Sequence, residues 1–321
     1  MDIFGFFNTL LWPIKWVVEL LLVGWHYLWT FFGLDPDAGL TWVLSIVGLV
    51  LVIRAALIPL FVRQIKSQRR MLEVAPQLKK IQDKYKGKTD QFSREAMSRE
   101  TMELYKKTGT NPLSSCLPLL LQMPIFFSLF SVLQNAQHEQ VGVGLLNAEL
   151  SRSFGESVLF GVAPLKLAIS TADGNWAVIW IAIVMVILMT ASQFITQLQI
   201  MSKNQSQEMK ASPMYKQQRV LLYLLPIVFL FSGFTFPLGV MFYWLVSNLW
   251  TMGQQFLVIR NMPTPGSEAA LAREARLAKR QQRRGITIVE DSPEEIERPK
   301  TTQRQQPVNQ KNRKKKPGGK R

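Results

Sequence analysis

The five main apolar segments of this 321-residue chain hold no aspartate and no glutamate. That absence excludes an intramembrane aspartyl protease, which needs two carboxylates, and argues against proton- or sodium-coupled transport, which relies on membrane carboxylates. Cysteine occurs once, as Cys116, so neither an internal disulfide nor a thiol cluster can form. The two histidines, His26 and His138, lie outside the five main apolar segments and supply no base to a nucleophilic serine there. With His, Cys and acids unclustered, no metal site is expected. No phosphate-binding glycine loop of the Walker type occurs. The chain therefore reads as a non-enzyme without cofactor or metal. Its start lacks a basic n-region, a small-residue cleavage site and a lipobox cysteine, so the N-terminus is expected to be retained.

What remains is oil and positive charge, kept apart. The chain is 48% hydrophobic yet carries a formal charge of +16. Of its 38 basic residues, 34 fall in Arg63–Pro112, Gln199–Arg219 and Arg260–Arg321. His138–Asn175 has two basic residues, Arg152 and Lys166, against four acidic ones. The positive-inside rule puts the three basic stretches in the cytoplasm and His138–Asn175 outside.

Between these stretches lie five apolar segments: Leu40–Val62, Cys116–Gln137, Trp176–Leu198, Val220–Phe234 and Pro237–Ile259. The first, at 23 residues, exceeds the roughly 20 that cross a bilayer. With it running outward to inward, all five obey the charge bias and the C-terminus is cytoplasmic. The fourth and fifth form a tight hairpin. The fold expected is an all-α integral membrane protein: a five-helix transmembrane core within 37–262, a cytoplasmic helical hairpin over 64–108 and an N-terminal interfacial helix in 1–36. The hairpin is read from apolar residues at helical spacing, a turn at Gly87–Asp90 and a stop at Gly109, with Pro76 expected to kink its first arm. Residues 263–321 form a basic tail, largely disordered beyond Gly285 because it has too few apolar residues to bury a core.

The N-terminal stretch Leu10–Phe32 is apolar enough to span. Asn8, Lys15, Glu19, His26 and Thr30, however, share one face, bordered by tryptophans. Such a stripe suits a helix lying in the membrane interface; the alternative is a sixth spanning helix.

Arg54 is the one charge inside the first segment. A guanidinium at bilayer depth costs on the order of 2.5–3.5 kcal/mol by insertion scales. None of the five main apolar segments carries an acidic residue to neutralise it. At eight residues from Val62, roughly 12 Å at helical rise, it is deep for snorkelling to the surface. Hydration in a cavity is the remaining solution. Its candidate walls are uncharged polar residues: Gln122, Ser128, Ser131 and Gln134; Thr190, Gln193, Thr196 and Gln197; Ser232; Ser247, Asn248, Thr251, Gln254 and Gln255. Taken singly, any of these can instead serve helix-to-helix hydrogen bonding.

Three stretches resemble the YidC/Oxa/Alb membrane protein insertases. Leu51-Val52-Ile53-Arg54-Ala55-Ala56-Leu57-Ile58-Pro59-Leu60 is similar to that family's arginine-bearing first core helix. Asn111-Pro112-Leu113-Ser114-Ser115-Cys116-Leu117-Pro118 through Phe126 is similar to its second, and this is the most specific of the three. Pro237-Leu238-Gly239-Val240-Met241-Phe242-Tyr243-Trp244-Leu245-Val246-Ser247-Asn248-Leu249, followed by Gln254-Gln255, is similar to its last. Ser115 and Leu238 depart from the family's smaller residues. The resemblance covers roughly Leu10 to Ile259. It implies an insertase and chaperone of a bacterial plasma membrane, N-terminus outside, with a groove open to cytoplasm and lipid and closed outside. Arg54 would be the groove arginine, Tyr243 and Trp244 would touch the inserting segment, and the hairpin would receive substrates. Implied partners are nascent membrane proteins, the ribosome through the basic tail, the Sec translocon and anionic lipids; DNA is not among them. The rival reading is a small-solute channel or carrier with a polar cavity. That rival demands a path continuous across the bilayer, whereas the insertase demands an outer end plugged by apolar packing.

Overall fold

The computed structural model describes residues 3–110, 117–206, 210, 219–220, 222–224, 228, 230–231 and 233–284. The expected asparagine–proline motif at Asn111–Cys116, Ser232 and the tail from Gly285 lie outside the described residues. The protein is mostly helical.

Helix α1 (Ile3–Phe31) ends where Gly33 takes a positive φ of 93°. There the Leu34 N–H returns to the Trp29 carbonyl and that of Gly33 to Thr30, so two orphan carbonyls are satisfied. Helix α2 (Gly39–Ala56) and helix α3 (Ile58–Lys84) meet at Leu57. The first apolar segment is therefore two helices rather than one rod. Pro59 explains the junction, because it has no N–H to offer the preceding turn. Helix α3 continues through Pro76, which lies inside it. Helix α4 (Gln91–Thr108) starts with Asp90 accepting the Ser93 N–H at 2.9 Å and stops at Gly109, φ +62°. Helix α5 (Leu117–Gln137) contains Pro124.

A lid follows. It comprises helix α6 (Ala148–Glu156), capped by Asn147, and strands β1 (Val158–Leu159) and β2 (Ala163–Pro164), paired antiparallel. A 3-10 turn at Ile169–Thr171 completes it. Helix α7 (Trp176–Lys203) is capped by Asn175 and runs beyond the expected Leu198. The described residues between 219 and 235 are helical. Helix α8 (Leu238–Asn261) begins after Pro237, and its first free N–H groups find protein partners: Leu238 donates to Leu167 and Gly239 to Leu165. Helix α9 (Glu268–Arg283) follows. The chain divides into two units at Ala275/Arg276; in the second, the described residues complete α9.

Among the described residues, α2 and α7 are long and apolar enough to cross a membrane. The core gathers where α1, α2, α5, α7 and α8 converge under the lid. Trp42, Ile46, Leu49, Leu133, Leu146, Phe154, Leu165, Leu238 and Met241 are fully buried there. Trp42 is held by three neighbours: the His26 ring stacks on it at 4.0 Å, Phe154 meets it edge-on at 5.0 Å, and its indole N–H donates to Ser153.

The polar stripe of α1 faces the protein. Lys15, Glu19 and His26 are buried against the protein, while Leu10, Trp12, Val17, Leu20, Tyr27 and Leu28 are exposed. Glu19 accepts the Val143 and Gly144 N–H groups at 2.8 and 2.7 Å, and His26 Nε2 bonds the Pro36 carbonyl at 2.9 Å. Buried polar groups must find partners, and these do so in the loops beside α2 and α5.

Candidate groove around Arg54

Arg54 sits in the last turn of α2, where backbone carbonyls at a helix C-terminus favour a cation. It is half-buried and lines a crevice between α2, α5 and α8. The polar members of that crevice are Arg54, Gln122, Tyr243 and Ser247; Val50, Ile53, Leu57, Ile125 and Leu129 supply the rest. Its free volume is about 10 Å³, space for about one water. The space beside Arg54 is thus a narrow cleft with a polar patch, because the three helices pack closely around it. Among the described residues, the ion pairs are Lys84–Glu100, Lys166–Glu139 and Lys210–Glu268, so no carboxylate neutralises Arg54. Tyr243, 2% exposed, is its electrostatic neighbour.

The other anticipated groove residues lie elsewhere. Ser128 is fully buried on α5, its hydroxyl without a partner. Gln193 and Gln197 are half-buried on α7 and do not line the crevice. Trp244 joins an aromatic cluster with Phe126 at 5.7 Å and Phe236 at 5.4 Å, and Phe130 packs edge-on to Phe236 at 5.6 Å. Asn248 is half-buried, with its side-chain nitrogen unpartnered.

Sequence reasoning missed a larger feature beside the crevice. A cleft of about 650 Å³ opens between the first turns of α3 and the second half of α8. Ile58, Phe61, Val62, Leu249, Phe256 and Leu257 line it, and none of its lining residues is charged. The signal available is the apolar start of α3 after Arg54, which hydropathy alone merges with the preceding helix. Also missed was Glu19 as the tie of α1 to the 142–144 loop. Gly142 and Gly144 flagged a close approach there: an added Cβ would fall 2.4 Å from the Glu19 carboxylate or 2.7 Å from the Trp16 ring.

The α3–α4 pair is held near its turn by Glu100, which accepts from Lys84 and from the Tyr85 hydroxyl. Those two donors hold the Glu100 carboxyl below its ordinary pKa, and Glu100 in turn raises the Lys84 ammonium. The Ser93 N–H lowers Asp90 in the same way.

Comparison with known proteins adds a second line of evidence. A family model described as "60Kd inner membrane protein" matches residues 33–265. A membrane protein insertase YidC of Tropheryma whipplei (strain Twist) is 45% identical over 316 residues, covering 96% of each chain. One from Bifidobacterium longum is 37% identical across 97% of this chain and 96% of its own. One from Streptomyces avermitilis is 43% identical across 83% of this chain and 61% of its own.

Proposed function

The chain belongs to the 60Kd inner membrane protein family, and from that premise we propose how it carries out membrane protein insertion through the Arg54 crevice. The protein is a membrane protein insertase of the inner or plasma membrane. The channel or carrier reading finds no support among relatives that are named insertases.

In this reading α2, α5, α7, the helical residues around 219–235 and α8 are the five spans. The lid over 138–175 faces outward, and the α3–α4 hairpin and the C-terminus are cytoplasmic. One contrast carries the proposal. The lid end of the helices is packed with fully buried apolar side chains, while Arg54 lies about 22 Å along α2 from that end, beside the polar crevice. A one-sided polar recess shortens the dry path for an incoming polar tail, each unsatisfied group of which costs several kcal/mol in hydrocarbon. Arg54 attracts an acidic tail in surroundings where charge pairs are stronger than in water. Gln122, Tyr243 and Ser247 offer hydrogen bonds in the same crevice. The cleft between α3 and α8 gives the apolar part of the client a surface leading to lipid, with Trp244 and its aromatic neighbours above it. Partitioning of that apolar segment supplies the driving force. No cofactor enters the scheme. Ser128, Gln193, Gln197 and Asn248 act in it as helix contacts or as walls exposed when the bundle opens. Nascent membrane proteins are the substrates; the ribosome at the basic tail, the Sec translocon and anionic lipids are proposed partners.

Arg54→Ala is expected to lower insertion of clients with acidic translocated tails about tenfold, equivalent to about 1.4 kcal/mol, and to spare clients with neutral tails. Arg54→Lys should retain most activity. Insertion into proteoliposomes, scored by protease protection of the tail, reads this out. Equal insertion of both client types by the alanine variant removes the electrostatic role.

A further inference from the structure

The turn between β1 and β2 carries an aromatic side chain in a backbone conformation that disfavours it. Phe160 has φ +53° and Gly161 φ +74°. A bulky residue at positive φ is uncommon, and glycine or asparagine would adopt that conformation more readily. Yet the phenylalanine is 73% exposed, and Val162, two residues on, is 55% exposed. From Ser157 to Leu165 no residue is charged. Backbone strain retained for a side chain that touches little of its own protein points to something outside the protein.

The position of the turn says what that is. β1 is bridged to Ala38, and Gly39 meets Val158 and Leu159 so closely that an added Cβ would lie 2.6 Å from their backbone. On the far side, the Asn175 side-chain amide donates to the Val162 carbonyl at 3.0 Å. Ala38 and Asn175 are the N-cap residues of α2 and α7, the two helices suited to crossing a bilayer. The turn is thus fastened to the N-cap of both. Trp176 and Trp180, on the opening turns of α7, are 69% and 61% exposed. Phe160, Val162, Trp176 and Trp180 therefore share the level at which both spanning helices begin. Aromatic side chains at that level partition into the boundary between headgroups and acyl chains.

We propose that the Phe160–Val162 turn is a membrane-dipping anchor, seated in the outer leaflet's interfacial zone beside the Trp176 end of α7. It tethers the lid to lipid as well as to protein, so the seal over the helix ends is held from both sides. Of the insertase reading it requires only that α2 and α7 span the bilayer.

The test uses the full chain in lipid nanodiscs with Cys116→Ser removing the single cysteine. Nitroxides are placed singly through Phe160→Cys, Val162→Cys, Trp180→Cys and Asp173→Cys, and their accessibility to oxygen and to a water-soluble nickel complex is measured. The expected result is an oxygen-rich, nickel-poor environment at 160 and 162, like that at 180 and unlike that at 173. A label at 160 as open to nickel as the one at 173 overturns the proposal. So does one shielded from both reagents, which would mean a protein occupies the surface. Phe160→Asn supplies a second reading that tolerates the turn's geometry. It should keep or raise the thermal midpoint in detergent, while the label at 162 loses its lipid exposure. Unchanged lipid exposure at 162 in that variant counts against the anchor. None of these readouts depends on insertion, so failure of the anchor and failure of the insertase reading stay separate.

Discussion

Glu19 shows how one side chain fixes a whole element. It is 1% exposed, and its two oxygens take the N–H groups of Val143 and Gly144. A buried carboxylate is stable only when its lone pairs are satisfied, and here two backbone donors do so. Among the described residues, Glu19 is the acceptor recorded for both donors. Replacing Glu19 with alanine should cost about 3 kcal/mol, from the two charge-assisted hydrogen bonds lost. Glu19→Gln should fall between, since an amide oxygen can serve one donor well but its nitrogen repels the other. Amide exchange of the 140–147 peptide in nanodiscs measures this: protection should drop in the alanine variant, partly return with glutamine and be full in the parent chain. Equal protection in all three would mean that α1 is held by its apolar contacts alone. A neighbouring close approach reinforces the attachment, for Trp25 packs against Gly48 where any Cβ would sit 2.4 Å from the ring.

At the scale of elements, α3 and α4 are the most polar pair. α4 has no buried residue, so little apolar surface holds it and charge contacts near the turn matter in proportion. Glu100 has its pKa lowered in the folded hairpin; its contribution is therefore present above the free carboxylate value, about 4.3, and lost as pH falls through the lower folded value. Lys84 has its pKa raised; its contribution is full below about 10.4 and lost as pH rises through the higher folded value. Asp90, also lowered, adds to the acid limb. The hairpin should thus be most firmly closed between about pH 5 and pH 10 and loosen on either side. Energy transfer between labels introduced by Lys80→Cys and Glu103→Cys would follow it, in the Cys116→Ser background. Glu100→Gln should weaken the alkaline limb, leaving the part due to Tyr85, and leave at acid pH only the part due to Asp90. A pH-independent distance would assign closure to the thin apolar seam. How far such elements were legible depended on local chemistry. Asp90, Gly109, Asn175 and Pro237 mark helix ends by their own backbone and side-chain preferences, and the ends fall there. The junction at Leu57 was missed because hydropathy is continuous across it, and only the absent N–H of Pro59 distinguishes two helices from one.

For the whole molecule, the decisive property is the inequality of the two ends of the helix bundle, and sequence alone reaches only part of it. Charge segregation is read without knowing any contact, since positive stretches report sidedness directly. Which polar side chains meet Arg54 is different. Gln122, Gln193 and Gln197 are chemically alike, and helix rotation and neighbour choice brought Gln122 to the crevice and left the other two on α7. The stripe on α1 has the same ambiguity, because periodicity reveals a distinct face but not whether water or protein covers it. The apolar packing at the lid end is likewise a tertiary fact, built from residues as distant in sequence as Trp42, Phe154 and Leu238, all without solvent contact. It makes a prediction that separates an insertase from a pore. The parent protein in proteoliposomes should hold an ion gradient as long as empty vesicles do. Phe154→Ala removes the ring that meets Trp42 edge-on and lies beneath Gly239, which should cost about 3–5 kcal/mol and open the seal. Ion leak should then rise in that variant but not in Gln193→Ala, whose side chain lies away from both the seal and the crevice. Steady conductance by the parent chain would contradict a closed outer end, and with it the one-sided groove on which the role of Arg54 depends.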